Sequence, residues 1–365
     1  MKKYYLAAFA LLIFTTVIVS CTDSDDEEYI PVSPVVVDLT QVPYSKLSDY
    51  HFFDGEMKNQ IPSLNVIPYE PASSLFTDYA LKKRFVWMPS NVHATYDADN
   101  KVMLFPVGTV LIKTFYYNTI QPSNTTKIIE TRLLIRKEEG WVFYEYLWND
   151  EQTEANLVVG EDFENGSSKT ITFKKPDNSI VTIDYRIPSE SECFACHKIN
   201  DIRTPIGPKP QNLNYNYNYS DGNKNQLQKL VEQGYLSSFP SNINSTINYR
   251  DTSQSLELRA RSYLDANCAH CHQYQGRCDY RPIRLGFGDT SNSINLGICI
   301  NADEEISPTL QKIVTPGLYD KSILHFRMIS NDESVRMPLI GRTIIHDEGV
   351  TLMEQWISSL TQTCN

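Results

Sequence analysis

Residues 107–117 read Val-Gly-Thr-Val-Leu-Ile-Lys-Thr-Phe-Tyr-Tyr, a run of β-branched and aromatic side chains. Such side chains favour the pleated, half-buried surface of a β-strand. Four further segments have the same character and are separated by polar turns: residues 131–136, 141–148, 170–174 and 180–185. Strands joined in this way pair as hairpins, so the sequence predicts an antiparallel β-sheet here. Residues 29–100, rich in Pro, Tyr, Ser and Asp, are predicted to be irregular.

Two Cys-x-x-Cys-His sequences follow the predicted strands in the chain, at residues 193–197 and 268–272. This is the attachment pattern of c-type haem, in which two thiols form thioethers with one porphyrin and the adjacent histidine binds its iron. A zinc ribbon, a thioredoxin-like redox pair and chance are the alternatives. A ribbon usually has about 15 to 20 residues between its cysteine pairs, whereas 71 residues separate Cys196 from Cys268. We therefore expect two covalently bound haem c groups, held by Cys193, Cys196 and His197 and by Cys268, Cys271 and His272.

Three helices are predicted after the first attachment sequence, over residues 223–233, 255–267 and 346–360. The last two flank the second attachment sequence, which is typical of a small class I cytochrome c domain. The predicted fold class is α+β: an N-terminal antiparallel β-sheet domain with the first haem and an all-α class I cytochrome c domain with the second. The predicted boundaries are 41–220 for the β-rich domain, 221–252 for a helical connector and 253–365 for the cytochrome c domain.

The sixth ligand of each iron decides whether that site only carries electrons or can also bind a substrate. For the second haem we expect Met337, which precedes a proline and stands 65 residues after His272, shortly before the last helix. Met328 and His325 are the alternatives. For the first haem no Met-Pro pair lies near His197. Either this iron has no protein ligand in its sixth position, or the ligand comes from the N-terminal third of the chain. The candidates there are His51, His93, Met57, Met88 and Met103.

The N-terminal residues indicate export and lipid anchoring. Lys2 and Lys3 precede an apolar run that ends at Cys21, and residues 18–21 (Ile-Val-Ser-Cys) resemble a bacterial lipobox. We expect a signal peptide over residues 1–20, lipidation of Cys21 and an acidic tether over residues 21–40; a retained transmembrane anchor is the alternative. No other stretch is apolar for the roughly 18 residues that a spanning helix needs. The membrane is therefore contacted only through the lipid anchor.

Charge and the remaining cysteines add two expectations. The formal net charge of −11 becomes −13 once Lys2 and Lys3 are removed with residues 1–20, and no basic cluster offers a surface to nucleic acid. Lipid and haem account for five of the eight cysteines, which leaves Cys278, Cys299 and Cys364. At most one disulfide can form among these three. We favour the pair Cys278–Cys299 because these two are closest in sequence.

Residues 259–272 read Arg-Ala-Arg-Ser-Tyr-Leu-Asp-Ala-Asn-Cys-Ala-His-Cys-His, and this motif resembles a family of uncharacterised exported dihaem c-type cytochromes, often lipoproteins. The similarity extends over about residues 70–362. It implies two haems and electron transfer. The sheet that ends in a Cys-x-x-Cys-His sequence also resembles cytochrome P-460 and the β-sheet cytochromes c′, whose distal haem face is open. That resemblance suggests a cross-link to the haem through Lys113, although a solvent-facing strand lysine is the simpler interpretation.

The sequence favours an electron carrier in the cell envelope of a Gram-negative bacterium, on the periplasmic face or the cell surface. Its partner would be a redox protein or a component of the respiratory chain. The alternative is a haem enzyme with an open first haem, either an oxidase similar to cytochrome P-460 or a dihaem peroxidase. The domains of a dihaem peroxidase are helical, whereas the first half of this chain is predicted to form strands. Whether the protein is an enzyme is left open, with electron transfer preferred.

Overall fold

An eight-stranded sheet forms the centre of the computed structural model, which describes residues 31–304 and 306–364. Its strands pair in the order β10-β9-β5-β6-β7-β8, with β4 also on β5 and β3 on β4, and every pair is antiparallel. The strands in chain order are β1 (Phe53–Asp54), β2 (Ile61–Pro62), β3 (Ile67–Pro68), β4 (Leu81–Trp87), β5 (Val110–Ile120), β6 (Thr125–Lys137), β7 (Gly140–Trp148), β8 (Ala155–Leu157), β9 (Ser167–Lys174), β10 (Ile180–Ile187), β11 (Lys198–Ile199), β12 (Ile202–Arg203), β13 (Asn216–Tyr219) and β14 (Gly222–Asn225). The predicted antiparallel sheet is confirmed.

Both faces of the central strand β5 are covered by other parts of the chain. Val110 and Ile112 are buried in one hydrophobic cluster, whereas Leu111 between them belongs to another, as expected for side chains that alternate across a strand. Residues between 42 and 66 cover the first face, where Tyr50 and Phe52 are buried. The N-terminal segment thus provides part of the core of the sheet.

The prediction that residues 29–100 are irregular is wrong for β4, which pairs with β5 along its whole length. Its sequence includes Lys82, Lys83 and Arg84, so it lacks the apolar alternation of an ordinary strand. The structure accommodates this charge because Lys82 Nζ donates hydrogen bonds to the backbone carbonyls of Leu75 (2.9 Å) and Ala80 (2.6 Å). Tertiary contacts therefore override the local pattern.

Seven α-helices lie in the described part of the chain: α1 (Glu161–Asn165), α2 (Glu190–Cys196), α3 (Pro210–Leu213), α4 (Gln226–Glu232), α5 (Leu256–Asn267), α6 (Ile323–Ile329) and α7 (Asp347–Ser359). Four short 3-10 helices are also present, at Leu47–Tyr50, Met57–Asn59, Asp289–Ser291 and Tyr319–Lys321. Helices α4, α5 and α7 correspond to the three predicted ones. Ser255 caps α5, because its hydroxyl accepts a hydrogen bond from the Leu258 N–H at 3.3 Å.

The prediction of an all-α domain over residues 253–365 is wrong. Among the described residues of this range only α5, α6 and α7 are α-helical, and the described segments between them are largely turns, bends and isolated bridges such as Ile298 with Val314. The sequence between α5 and α6 is rich in Gly, Asn and Pro, which favour turns over helix. Helix α7 packs on α5, and Trp356 and Ile357 of α7 are fully buried in their shared core.

The residues from Pro34 onward form one compact unit. The domain boundaries predicted at residues 220 and 252 remain predictions from the sequence. The signal peptide, Cys21 and the first part of the acidic tether lie outside the described residues. Among the residues described, none of the helices has the length and apolar character needed to cross a membrane.

Candidate functional site

The first attachment sequence lies on α2, which begins three residues after β10 ends. The Ser189 hydroxyl accepts from the Glu192 N–H at 3.2 Å, and the Glu192 carboxylate accepts from the Ser189 N–H at 2.8 Å. This reciprocal capping box determines where the helix begins. Cys193 and Cys196 are therefore one turn apart on the same side of α2, a spacing at which helical side chains are neighbours.

His197 follows α2 and has a defined tautomer. Its Nδ1 lies 3.1 Å from the carbonyl oxygen of Thr204, which can only accept a hydrogen bond, so Nδ1 carries the proton. Burial lowers the pKa of His197 to about 3, so the imidazole is neutral. Its Nε2 therefore keeps a free lone pair, the state in which histidine binds a metal.

A cavity of about 1140 Å³, partly open to solvent, surrounds this first attachment sequence. Cys193, Cys196 and His197 all border this first cavity, together with side chains from the sheet. The polar side chains at its wall that come from strands are Lys113, Arg132, Tyr144, Glu145, Tyr185 and Arg186.

A buried charge cluster borders the first cavity. The Glu130 carboxylate is fully buried and accepts hydrogen bonds from Arg132 at 2.8 and 2.5 Å and from the Tyr185 hydroxyl at 2.5 Å. Beside it, burial raises the pKa of Glu145 well above its usual range, and the nearby Glu130 carboxylate adds to this. Glu145 Oε1 has no hydrogen-bond partner among the described residues and lies 3.6 Å from Arg132 Nε. Both effects favour the protonated form of the Glu145 carboxyl.

Lys113 borders the same cavity and does not face bulk solvent, contrary to the simpler interpretation of its strand position. Its Nζ lies 4.7 Å from the centroid of the Phe115 ring. Burial, aided by the neighbouring Arg84 and Arg132, holds the pKa of Lys113 well below its usual range. Reasoning from the sequence missed Arg132, Glu145 and Tyr185. For Glu145 the available signal was a charged residue at a strand position between two tyrosines.

The second attachment sequence follows α5 directly. Cys268 is the C-cap of this helix, and the His272 N–H donates to the Cys268 carbonyl at 3.0 Å. Burial lowers the pKa of His272 to about 4, so this imidazole is also neutral at pH 7. Its Nδ1 is buried and has no hydrogen-bond partner among the described residues. Cys268, Cys271 and His272 border a second cavity of about 1050 Å³.

Met337 also borders the second cavity, whose wall is otherwise largely apolar and includes Ile283, Leu285 and Leu324. The two alternatives to Met337 lie elsewhere. Met328 is buried in the core between α5 and α7. The His325 ring nitrogen Nε2 is 2.8 Å from the Glu354 carboxylate. The structure thus brings Met337 and His272 to one cavity, whereas neither Met328 nor His325 borders it.

The loop that carries Met337 is held by hydrogen bonds to buried groups. The Arg342 guanidinium donates to the carbonyls of Arg327, Met328 and Ser330 at 3.2, 3.2 and 2.7 Å. The Asp78 carboxylate accepts from the backbone N–H groups of Thr343 and Ile344 at 2.7 and 3.0 Å. Asp78 precedes β4, so the loop beside the second cavity is tied to the sheet beside the first.

The two cavities share a wall. Cys196, His270, Pro338 and Ile340 border both of them. Near this wall the donor atoms of Cys196, His270 and Cys271 lie within 4.8 Å of one another. The Cys271 thiol beside Cys196 holds the pKa of Cys196 well below its usual range, and the same contact raises the pKa of Cys271. The sequence did not reveal this meeting of the two attachment sequences.

The five predicted distal ligands of the first haem are not among the residues that border the first cavity. Met88 and Met103 are buried in a core cluster with Leu111, and Met57 packs against a further core cluster. His51 and His93 are exposed. The prediction that one of these five is a ligand therefore finds no support in their positions.

The disulfide prediction is wrong. The bond joins Cys299 to Cys364, which are 65 residues apart in sequence. Cys278 is buried and free, and its N–H donates to the Cys271 carbonyl at 3.0 Å. Sequence proximity favoured Cys299 with Cys278, but the fold brings the C-terminal segment after α7 to Cys299 instead.

Comparison with known proteins finds no family model, no curated protein and no solved structure that matches this chain.

Proposed function

We propose that this chain is an exported, lipid-anchored c-type cytochrome with two haems that transfers electrons. The observation that carries the proposal is that each Cys-x-x-Cys-His sequence borders its own cavity of about 1,000 Å³ with a neutral, half-buried histidine. The donor sets fit haem c chemically, because two thiols and one imidazole with a free nitrogen are what covalent attachment requires. The free Nε2 of His197 is consistent with ligation of an iron.

The residues would divide their roles as follows. Cys193 and Cys196 would bind the first haem covalently and His197 would ligate its iron, while the Thr204 carbonyl orients the His197 ring. At the second site the haem would be bound covalently by Cys268 and Cys271, and its iron would be ligated by His272 and Met337. The apolar wall around Met337 would keep water away. Bound haem supplies an iron that gains and loses one electron.

Two further observations support an exported electron carrier. The Cys299–Cys364 disulfide is of the kind that persists in oxidising compartments outside the cytoplasm. The acidic surface suits a basic redox partner, either a soluble protein or a component of the respiratory chain. Lipidation of Cys21 would provide the anchor. A Cys21→Ala variant should leave the membrane fraction or stay unprocessed, and retention of a processed chain on the membrane would refute the anchor.

The test of the cofactor is stoichiometric. Protein purified from a host that attaches haem should keep two haems per chain after denaturation. Changing Cys193 and Cys196 to Ala should leave one haem, and changing Cys268 and Cys271 should leave the other. A Cys278→Ala variant is the matched control and should keep both, because that thiol lies outside the two attachment pairs. If all haem can be extracted from the denatured wild type, the proposal is wrong.

A haem enzyme with an open first site is the second candidate. It is favoured by the first cavity, whose wall lacks the five expected ligands but includes Arg132, Lys113 and Glu145, whose pKa is raised by burial. Such groups can hold and protonate a small polar molecule. Carbon monoxide added to the reduced protein should then change the absorption spectrum of one of the two haems and leave the other unchanged. No change at either haem would remove the enzyme candidate and leave electron transfer.

A further inference from the structure

A set of soft donors converges where the two attachment sequences meet. The sulfur atoms of Cys196 and Cys271 and a ring nitrogen of His270 all lie within 4.8 Å of one another. Cys196 comes from α2, whereas His270 and Cys271 follow α5, so only the fold brings them together. In a tetrahedral zinc site the Zn–S bond of about 2.3 Å puts neighbouring sulfurs roughly 3.8 Å apart. Closing the group around an ion would therefore require shifts of about 1 Å.

His270 is an independent sign of a missing ligand. Its side chain is only 7% exposed, and its Nδ1 has no hydrogen-bond partner among the described residues. A buried polar atom without a partner is energetically costly, so such atoms normally mark a bound ion, a water molecule or a function. The predicted haem chemistry gives His270 no role, because it occupies a variable position inside the attachment sequence.

Cys278 lies beside this group but outside the three residues whose donor atoms are within 4.8 Å of one another, so its thiol would have to move further than theirs to bind the ion. Cys278 is buried, takes no part in the disulfide, and its thiol is within hydrogen-bonding reach of Cys271. Three thiols and one imidazole form a Cys₃His set, which is a common tetrahedral zinc site. No carboxylate belongs to the group. Hard ions such as Mg²⁺ and Ca²⁺, which prefer oxygen ligands, are therefore disfavoured.

We infer that the haem-free chain binds one Zn²⁺, or a similar soft divalent ion, through Cys196, His270 and Cys271, with Cys278 as the fourth ligand. Each thiol that binds loses its proton to solvent. The site differs from a zinc ribbon, because it takes one cysteine from each attachment pair and leaves Cys193 and Cys268 free.

The ion and covalent haem exclude each other. Thioether formation converts the thiols of Cys196 and Cys271 into weak ligands, so the ion must leave before either attachment is completed. The inference goes beyond the proposed function, since it concerns the chain before haem is attached. It predicts that bound zinc holds the two attachment sequences together and delays attachment.

The experiment uses the full chain from residue 21, produced without haem attachment and purified with a phosphine reductant. Zn²⁺ is measured by mass spectrometry, and Co²⁺ serves as a probe because thiolate ligation gives intense absorption. We expect one ion per chain, with X-ray absorption showing three sulfur ligands and one nitrogen ligand on zinc. Binding of no ion, or a spectrum with four sulfurs, would overturn the inference.

Matched variants identify the ligands. Cys196→Ser, Cys271→Ser and His270→Gln should each weaken binding at least about 100-fold, by analogy with the 10- to 100-fold cost of losing even an outer partner of a metal ligand. Cys193→Ser and Cys268→Ser are the controls and should bind as the wild type does. Equal losses in the controls would indicate a zinc ribbon and refute the site. Circular dichroism of each variant checks that a loss does not reflect unfolding.

The two proposals fail separately. Two haems per chain in the holoprotein without zinc binding by the haem-free chain would refute only the metal site. Zinc binding by the haem-free chain with no covalent haem in a competent host would refute the cytochrome.

Discussion

At the scale of single residues, the two attachment histidines differ in what orients them. The Thr204 carbonyl fixes the ring of His197, whereas His272 Nδ1 has no such partner among the described residues. A hydrogen bond at the second nitrogen fixes the ring and raises the basicity of a metal-binding imidazole. If haem is bound as proposed, the first iron therefore has the more firmly oriented histidine, and the ligand on its other side decides its reactivity.

The Met337 thioether is expected to be the sixth ligand at the second site. A Met337→Ala variant should lose the weak near-infrared band of a methionine-ligated ferric haem and lower that haem's potential by on the order of 100 mV, because methionine ligation raises it. Optical redox titration measures both. Met328→Leu is the control, since it preserves volume in the core where Met328 is buried. Loss of the band in the control alone would reassign the ligand to Met328.

Glu145 should make stability depend on pH. Burial raises its pKa above the ordinary 4.5, so the folded chain retains a proton that the unfolded chain releases. The stability that this proton provides is complete below pH 4.5 and declines as pH rises through the folded pKa, by about 1.4 kcal/mol per pH unit. Glu145→Gln has no proton to lose.

Denaturant unfolding from pH 4 to pH 8 measures this effect. The free energy of unfolding of Glu145→Gln should rise relative to the wild type as pH increases. Glu139→Gln changes an exposed glutamate in a neighbouring turn and should follow the wild type at every pH. Parallel curves for Glu145→Gln and the wild type would show that Glu145 is already ionised in the folded protein.

At the scale of secondary-structure elements, the packing of α7 on α5 is close enough to require a glycine. A Cβ atom at Gly349 would lie 2.2 Å from the Tyr263 hydroxyl and 2.7 Å from His346 Nδ1. Tyr263 cannot easily move, because it is buried and its hydroxyl is 3.1 Å from His346 Nδ1. The contact therefore sets the distance between the two helices.

Gly349→Ala should destabilise the chain by about 1–3 kcal/mol, since overpacking a tight core displaces the helices. This cost exceeds the gain of about 1 kcal/mol in helix propensity that alanine brings. Thr351→Ala changes an exposed position of the same helix and should have an effect within about 0.5 kcal/mol. Urea unfolding of both variants is the measurement, and a Gly349→Ala variant as stable as the wild type would contradict this packing.

At the scale of the whole molecule, segments far apart in sequence meet around the two cavities. Asp78, which precedes β4, holds the loop after Met337, and Cys196 of the first attachment sequence meets Cys271 of the second. The Cys299–Cys364 disulfide joins the irregular part between α5 and α6 to the segment after α7. The irregular C-terminal part is therefore stabilised by cross-connections more than by regular secondary structure.

Loss of the disulfide should lower stability by roughly 4 kcal/mol, because closing a loop of 65 residues removes entropy from the unfolded chain. A Cys299→Ser/Cys364→Ser double variant should unfold at lower denaturant concentration than the wild type. Adding a phosphine reductant should reduce the wild type to the same level but leave the double variant unchanged. A reductant effect of equal size on the double variant would show that another thiol pair is responsible.

Several features of this protein follow from the sequence alone because they depend on residues adjacent in the chain. The attachment sequences, the strands β5, β6, β7, β9 and β10, and the helices α4, α5 and α7 are of this kind, since spacing, side-chain shape and capping act locally. The predicted haem chemistry likewise needs only Cys-x-x-Cys-His.

Tertiary structure alone decided the rest. Burial and contacts between distant segments determine the strand role of β4, the partner of Cys299, the raised pKa of Glu145 and the meeting of Cys196 with Cys271. A charged strand is acceptable only if the fold supplies carbonyls for its lysines, and a thiol pairs with whichever cysteine the packing brings near. The interaction energies of such contacts arise only when distant segments meet, so they cannot be predicted from the local sequence.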